Sequence, residues 1–413
     1  MIDTYRQSSS MKRQVTPIMY RACSTSRLAL QLPGYRPLRQ LHQKAAATAS
    51  ITRTSRDIFS TQRALHLTTN PIPKWNQKPW SNNQPSTSSR AAYTTATLSN
   101  PTIHEIFEKT SGTWQYLVAD PKTSKAVIID PVLNYDSATQ AITTEAADAI
   151  LSKAKEMGYK IDKILETHAH ADHLTAASYL QTRLATDQGF KPPVCIGKRI
   201  EQVQTLFAKR YGVPAKEYVR VFDRLFDDDE VFSIGELSAK AIHLPGHTPD
   251  HLGYMIGGKR SIPFHPCPFL PQILKRAPEN LFCGDSLFHI DIGTARCDFP
   301  GGSARDLYAS GRKLLSLPDH YKIWTGHDYP PEGRSEPVPW MSVRDHKTLN
   351  KHLKEGICEE EFVALRRERD GGLKAPRLLH QSLQINIRAG RLPKVEESGF
   401  RFLHVPLVVG GEW

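Results

Sequence analysis

Between Leu165 and Leu180 the sequence reads LETHAHADHLTAASYL. Six consecutive residues there, His168-Ala169-His170-Ala171-Asp172-His173, hold three histidines and an aspartate. Neutral imidazoles and carboxylates are metal ligands, and this many on one short stretch point to a metal centre. His168 and His170, two apart, project to one side only from extended chain, as in a loop leaving a strand. Asp172 and His173 are expected to open a helix, where a carboxylate suits the helix dipole. A metal site also needs ligands from distant segments. Three further polar residues lie just past short apolar runs, each beside a glycine: His247 in LPGHTPDH, Asp285 in CGDSLF and His327 in WTGHDY. One of these would be an ordinary turn residue. Four such strand ends in one chain are best explained by a single site at the strand termini. His251 is set apart from this set as a structural residue. Taken alone, the residues permit one ion or two, and hydrolysis or oxidation.

The elements that must position these residues are short. TWQYLVAD and KAVIIDPV, split by PKTSK, read as a hairpin. TTEAADAILSKAKEMGY reads as a helix capped by Thr143 or Thr144 and ended by Gly158. KIDKILETH is a strand that delivers the histidines, and DHLTAASYLQTRLAT is expected to be helical. PVCIG, the pair within DEVFSIGELSAKAIH, NLFCGDSLF and YKIWTGHDY read as strands, with helices over EQVQTLFAKRYG and SARDLYASGRKLLSLP. Alternating strands and helices predict an α/β class with layered sheets. One segment does not fit. Residues 257–280 separate HLGYMI from LFCGDSLF, two runs that a short turn could join, and their five prolines exclude a central strand. This insertion reads as a surface loop, and His265 and Cys267 within it are not taken as ligands.

The formal net charge is +12. Residues 1–100 hold 14 Lys and Arg against two acids, Asp3 and Asp57, which is the whole excess. The body is therefore neutral and offers no patch for steering phosphates, so no nucleic acid is expected. The basic segment, depleted in acid and rich in Arg, Ser and Thr, has the composition of a mitochondrial transit peptide followed by a linker, PIPKWNQKPWSNNQPSTSSR. No apolar run approaches the ~18 residues of a membrane span. Six cysteines without paired spacing argue against a disulfide framework and for a reducing compartment.

The ordered set THAHADH, GHT, GD and GHDY resembles the metallo-β-lactamase superfamily. The resemblance covers 101–330 as a catalytic domain and implies an αβ/βα four-layer sandwich with its site at the edge between two sheets. Flanking residues look like the persulfide dioxygenase branch: ADHLTAA, with Ala171 and Leu174-Thr175, then GTARCDFPGGSARDLYAS and PRLLHQSLQINIRAGRLP. The resemblance is to the bacterial-type subgroup of β-lactamase hydrolase-like proteins and extends to about residue 395. It makes 331–413 a C-terminal extension that completes the substrate site.

The resemblance implies one Fe(II) per chain, held by His168, His247 and Asp285 as two histidines and one carboxylate, with open positions for a persulfide sulfur and O₂. His170, Asp172, His173 and His327 would orient and tune those ligands. Tyr329 would reach the open face of the metal. The family's basic contact to a glutathione carboxylate falls on Lys347, where Arg is more usual, with Arg296, Asn386 and Arg388 as further substrate contacts. The implied reaction oxidises glutathione persulfide with O₂ to sulfite and glutathione, in mitochondrial sulfide oxidation, and a homodimer is allowed. The alternative is a hydrolase of the glyoxalase II type. There two Zn²⁺ are held by His168, His170 and His247 and by Asp172, His173 and His327, with Asp285 bridging, and a thioester is cleaved. A catalytically silent binding protein is the third reading, and the intact ligand set argues against it.

Overall fold

In the strand Thr113–Ala119 (β2) successive side chains serve two different cores. Leu117 and Ala119 enter one apolar cluster, while Trp114, Tyr116 and Val118 enter another. Every residue of β2 is buried, as expected of a strand covered on both faces. The computed structural model describes residues 100–258 and 279–411. The expected targeting segment and linker, and most of the insertion with His265 and Cys267, lie outside the described residues.

The first sheet joins β1 (Thr102–Glu108), β2, β3 (Lys125–Ile129), β6 (Lys160–Leu165), β8 (Val194–Gly197) and β9 (Arg224–Phe226), in that order. The second joins β10 (Val231–Ile234), β11 (Leu237–His243), β12 (Leu252–Gly258), β13 (Asn280–Phe282), β14 (Lys322–Trp324) and β15 (Trp340–Ser342). A small third sheet pairs β4 (Val132–Asp136) with β5 (Ala141–Thr143) and β7 (Leu174–Thr175). One core lies between the two large sheets and combines Val127, Ile129, Leu165 and Phe226 with Ala239, Tyr254, Ile256 and Phe282. The outer face of the first sheet is covered by α1 (Glu145–Glu156), α2 (Ala177–Gln188), α3 (Ile200–Tyr211), which the short α4 (Ala215–Tyr218) follows, and α8 (Leu379–Asn386). The outer face of the second is covered by α5 (Ala304–Leu315), α6 (Val343–Leu349) and α7 (Glu359–Gly371). The layers run helix, sheet, sheet, helix, which is the expected αβ/βα four-layer sandwich. No helix among the described residues is long and apolar enough to cross a membrane.

The expected hairpin pairs Ala119 with Ala126, and the runs flanking the insertion pair directly as β12 and β13. The helix expected over DHLTAASYLQTRLAT begins only at Ala177. Leu174 and Thr175 instead pair with Leu133 and Val132. Thr175 is held there by its neighbours: its Oγ1 accepts the N–H of Ala177 and donates to Glu166. Asp172 and His173 therefore stand on a loop, and the helix-dipole argument for Asp172 does not apply.

Past residue 330 the chain does not form a body of its own. β15 closes the second sheet, α7 packs on α5, and α8 packs on β7 and α3. Two buried histidines hold this segment in place as neutral acceptors. His346 Nδ1 lies 3.0 Å from Asn350 Nδ2, and His352 Nδ1 accepts the N–H of Thr294 at 3.1 Å. Burial pushes His346 down to about 4, and burial with Arg366 and Arg369 pushes His352 down to about 3. Once unfolded, both bind protons below their ordinary value of 6.5. Stability present above that pH is lost as pH falls toward 4, by up to ~1.4 kcal/mol per pH unit for each histidine. Urea midpoints should therefore drop between pH 7 and pH 5, and a flat profile over that range contradicts this assignment.

Candidate metal centre

Each ligand candidate follows a strand of the sandwich. β6 runs parallel to both β3 and β8, and its end leads through Glu166 and Thr167 into His168. His247 lies in the turn between β11 and β12, Asp285 follows β13, and His327 follows β14, which runs parallel to β13. An isolated bridge between Thr113 and His327 ties the two sheets together beside the site. Two glycines permit the crowding. A Cβ on Gly326 would stand 2.4 Å from Asp285 Oδ1, and one on Gly284 would stand 2.7 Å from Thr167 Oγ1. Gly284 also has φ +49, a backbone region that side chains disfavour.

Three imidazole Nε2 atoms surround one carboxylate oxygen. Asp285 Oδ2 lies 3.5 Å from His247, 3.5 Å from His327 and 3.8 Å from His168. Hydrogen bonds on the far side of each ring determine what these nitrogens present. The Thr167 hydroxyl donates to Asp130 at 2.8 Å, so at 2.9 Å it must accept from His168 Nδ1–H. The Arg296 carbonyl accepts from His247 Nδ1–H at 2.7 Å. The Gly112 carbonyl, 3.3 Å from His327 Nδ1, accepts there in the same way. Each ring thus turns an Nε2 lone pair toward the same anionic oxygen. Such an arrangement calls for a cation between them. Burial and the neighbouring imidazoles hold His168 well below its ordinary pKa, so it stays neutral. Burial pushes His327 down, but Asp285 and Asp172 outweigh it and raise the ring, so this corner attracts positive charge. Buried His168 Nε2, His170 Nδ1, His173 Nε2 and Asp285 Oδ1 have no hydrogen-bond partner. Unpartnered buried donors of this kind fit a metal ion.

The ligand atoms fall into two sets, each within 4.8 Å: His168, His247 and Asp285 in one, and His170, Asp172, His173 and His327 in the other. His170 groups with the second set, and its ring also stands 4.0 Å from that of His168. Its Nε2 faces away, 3.1 Å from Asp130 and 3.4 Å from Glu166. Burial alone would depress its pKa, but the two carboxylates raise it well above the ordinary value. Asp172 Oδ2 lies 3.2 Å from His173 Nδ1 and 3.3 Å from His327 Nε2. Burial raises the Asp172 pKa, but His327 and His173 outweigh it and hold the carboxylate well below its usual range.

All seven ligand candidates converge, but the expected substrate contacts divide. Tyr329 is 48% exposed, and its ring stacks on His327 at 5.5 Å. The Arg296 guanidinium pairs with Asp298, and only its carbonyl serves the site, through His247. Lys347 is paired with Asp319 at 2.7 Å, so its ammonium is already engaged. Arg388 is buried and bonded to Glu217 and Gln384. Asn386 is a clamp. Its Nδ2 donates to the carbonyls of His170 at 2.8 Å and His173 at 2.9 Å, and its Oδ1 accepts the Thr175 N–H at 2.8 Å. Asn386 and Arg388 thus hold the structure together, and neither is free to meet a substrate.

Sequence reasoning missed Asp130, Glu166 and Thr167. Asp130 has φ +49 and is buried, and it binds both the N–H and the hydroxyl of Thr167. Its place before Pro131, where the strand pattern stops, was the only local signal. The Nε2 of His251 accepts the Asp285 N–H at 3.0 Å and fixes the carboxylate's backbone. The described cysteines are free, and burial pushes Cys195, Cys283 and Cys297 up to about 12, so none of these three is a ready nucleophile.

Comparison with known proteins agrees with this geometry. Residues 110–262 match the metallo-beta-lactamase superfamily. A "Probable metallo-hydrolase" of Burkholderia pseudomallei (strain 1710b) is 40% identical over 74% of this chain and 99% of its own length. "Glyoxylase B2" of Dictyostelium discoideum is 38% identical over 75% of this chain and 98% of its own. "Persulfide dioxygenase ETHE1, mitochondrial" of Homo sapiens is 27% identical over 70% of this chain and 88% of its own. Among solved structures, the crystal structure of ETHE1 from Myxococcus xanthus superposes with a TM-score of 0.52 at 25% identity, covering 70% of this chain and all of that one. The chain belongs to the metallo-β-lactamase superfamily and carries that superfamily's metal-binding clusters.

Proposed function

We propose that the protein is an Fe(II)-dependent persulfide dioxygenase that oxidises glutathione persulfide. The balanced reaction takes one persulfide, one O₂ and one water to one glutathione, one sulfite and two protons. The observation that carries this reading is that the ligand atoms of His168, His247 and Asp285 lie within 4.8 Å of one another, a set of two histidines and one carboxylate. That donor set suits Fe(II) with open positions. Iron held there supplies the redox couple for O₂ and sulfur that no side chain of the cluster offers. The chain's own part is orientation. Thr167 and the Arg296 carbonyl keep the Nδ1 protons of His168 and His247 outward, His251 sets Asp285, and Asp130 with Glu166 holds His170. The relatives named persulfide dioxygenase add support at lower identity.

A second reading, a zinc thioester hydrolase of the glyoxalase II type, draws on one distance. Asp285 Oδ2 lies 3.5 Å from both His247 and His327, so one oxygen touches both ligand sets. Glyoxylase B2 is a nearer relative in identity than the persulfide dioxygenase. Metal analysis with oxygen uptake separates the two. The expected result is about one iron per chain, and one O₂ consumed per sulfite formed from glutathione persulfide. Two zinc per chain, cleavage of a glutathione thioester and no oxygen uptake would overturn it. The reading extends to the mitochondrial matrix on the composition of residues 1–100 alone. A fusion of that segment to a reporter should be imported by isolated mitochondria, and a reporter left outside contradicts the location.

A further inference from the structure

The turn between β11 and β12 does more than carry His247. It is seated on α5 by two hydrogen bonds. The N–H of Ser303, which caps α5, donates to the Gly246 carbonyl at 2.8 Å, and the Ser310 hydroxyl donates to the Pro245 carbonyl at 2.7 Å. A Cβ on Gly246 would stand 2.3 Å from the backbone of Leu307, so turn and helix touch directly. From this fixed platform Asp250, a residue with no role so far, sends a fully buried carboxylate across to the histidine loop of the other sheet. Its Oδ2 accepts the Ala169 N–H at 2.9 Å. That N–H belongs to the peptide that joins His168 to Ala169.

The place of this bond decides what it can do. Among the described residues, no other backbone N–H from His168 to His173 has a hydrogen-bond partner. The loop is gripped again only further on, where Asn386 binds the carbonyls of His170 and His173. Asp250 thus holds the chain where it passes from one ligand set to the other. His168 belongs with His247 and Asp285, and His170 with Asp172, His173 and His327, yet the two rings stand 4.0 Å apart. His247 lies on the same turn as Asp250, so the bond also ties His168 to its partner ligand across the two sheets. Stability does not explain the carboxylate. Burial raises its pKa, outweighing the Thr248 hydroxyl and the Ala169 N–H, and its Oδ1 has no partner within hydrogen-bond distance. A buried carboxylate of this kind costs stability, which suits a group kept for placement.

We propose that Asp250 is a positioning residue of the metal centre: through the Ala169 N–H it sets where His168 stands relative to His247 and holds it apart from His170. The inference rests on reading the cluster as a metal centre, and it holds for iron or zinc alike.

Titration of the metal-stripped full chain with Co(II) tests it, because the visible absorption of bound Co(II) follows the placement of its ligands. Asp250→Ala removes the acceptor, and it should weaken Co(II) binding about tenfold or more and shift the visible bands. Asp250→Asn keeps a carbonyl oxygen for the Ala169 N–H, and it should restore the native bands and bring affinity back to within about threefold. The metal-free D250A protein should melt within about 5 °C of the metal-free native protein, because the unpaired Ala169 N–H is offset by the removal of a buried carboxylate. Three results overturn the proposal. The first is native affinity and native bands in D250A. The second is equal losses in D250N and D250A. The third is a D250A protein that does not fold or melts more than about 5 °C low, which would make Asp250 a prop of the fold. A native protein that takes up no Co(II) would overturn the metal centre itself and this inference with it.

Discussion

Asp285→Ala leaves the purified protein with less than about a tenth of its native metal. Even partners outside the ligand shell change metal affinity by ~10–100-fold when lost, and removing a ligand does more. Asp285 is the one anion that both ligand sets approach: its Oδ2 lies within 3.8 Å of His168, His247 and His327. Without it, no negative charge is left between the Nε2 atoms of His168 and His247. His170→Ala gives the contrasting result. Its Nε2 is committed to Asp130 and Glu166, and the residue groups with Asp172, His173 and His327. That variant should keep its iron and turn over more slowly. Elemental analysis after desalting, with circular dichroism to confirm folding, reads both. If His170→Ala loses metal as completely as Asp285→Ala, the three-ligand assignment is wrong.

Asn386→Ala loosens the histidine loop from behind. Three buried backbone groups, the carbonyls of His170 and His173 and the N–H of Thr175, lose their partner at once. Each unsatisfied buried group costs about 1–3 kcal/mol, so the loss is of order 3 kcal/mol or more. For a body of this size that lowers Tm by roughly 5 °C or more. Metal retention should fall as well, because both carbonyls belong to ligand residues. A thermal melt beside elemental analysis checks the pair. A Tm within a degree or two of native, with full metal content, would show that Asn386 does not brace the site.

Asn386 also marks where sequence reasoning stopped. The motif around it was visible, but the residue was assigned to substrate, because its partners lie 211 to 216 residues away in the chain. Nothing local announces a contact at that range. Arg296 failed differently: the site uses its carbonyl, which any residue could supply at that point. The early helix at Asp172 failed because apolar spacing from Leu174 onward looks helical, while pairing of Leu174 and Thr175 with β4 prevails. By contrast, the β2–β3 hairpin and the β12–β13 pairing were readable from apolar runs and turn residues.

The sequence by itself determined the ligand types and their places at strand ends. Those depend on local rules: strand patterning, a glycine where a side chain would collide, and histidine and aspartate just beyond. Only the tertiary structure decided which nitrogen of each ring faces inward and how seven ligands divide into two sets. Those outcomes depend on Thr167, Asp130, Glu166, Gly112 and the Arg296 carbonyl, which meet the rings across the fold. A hydrogen bond acts over about 3 Å, so a ring's orientation follows from what folding brings within that distance, not from its neighbours in sequence.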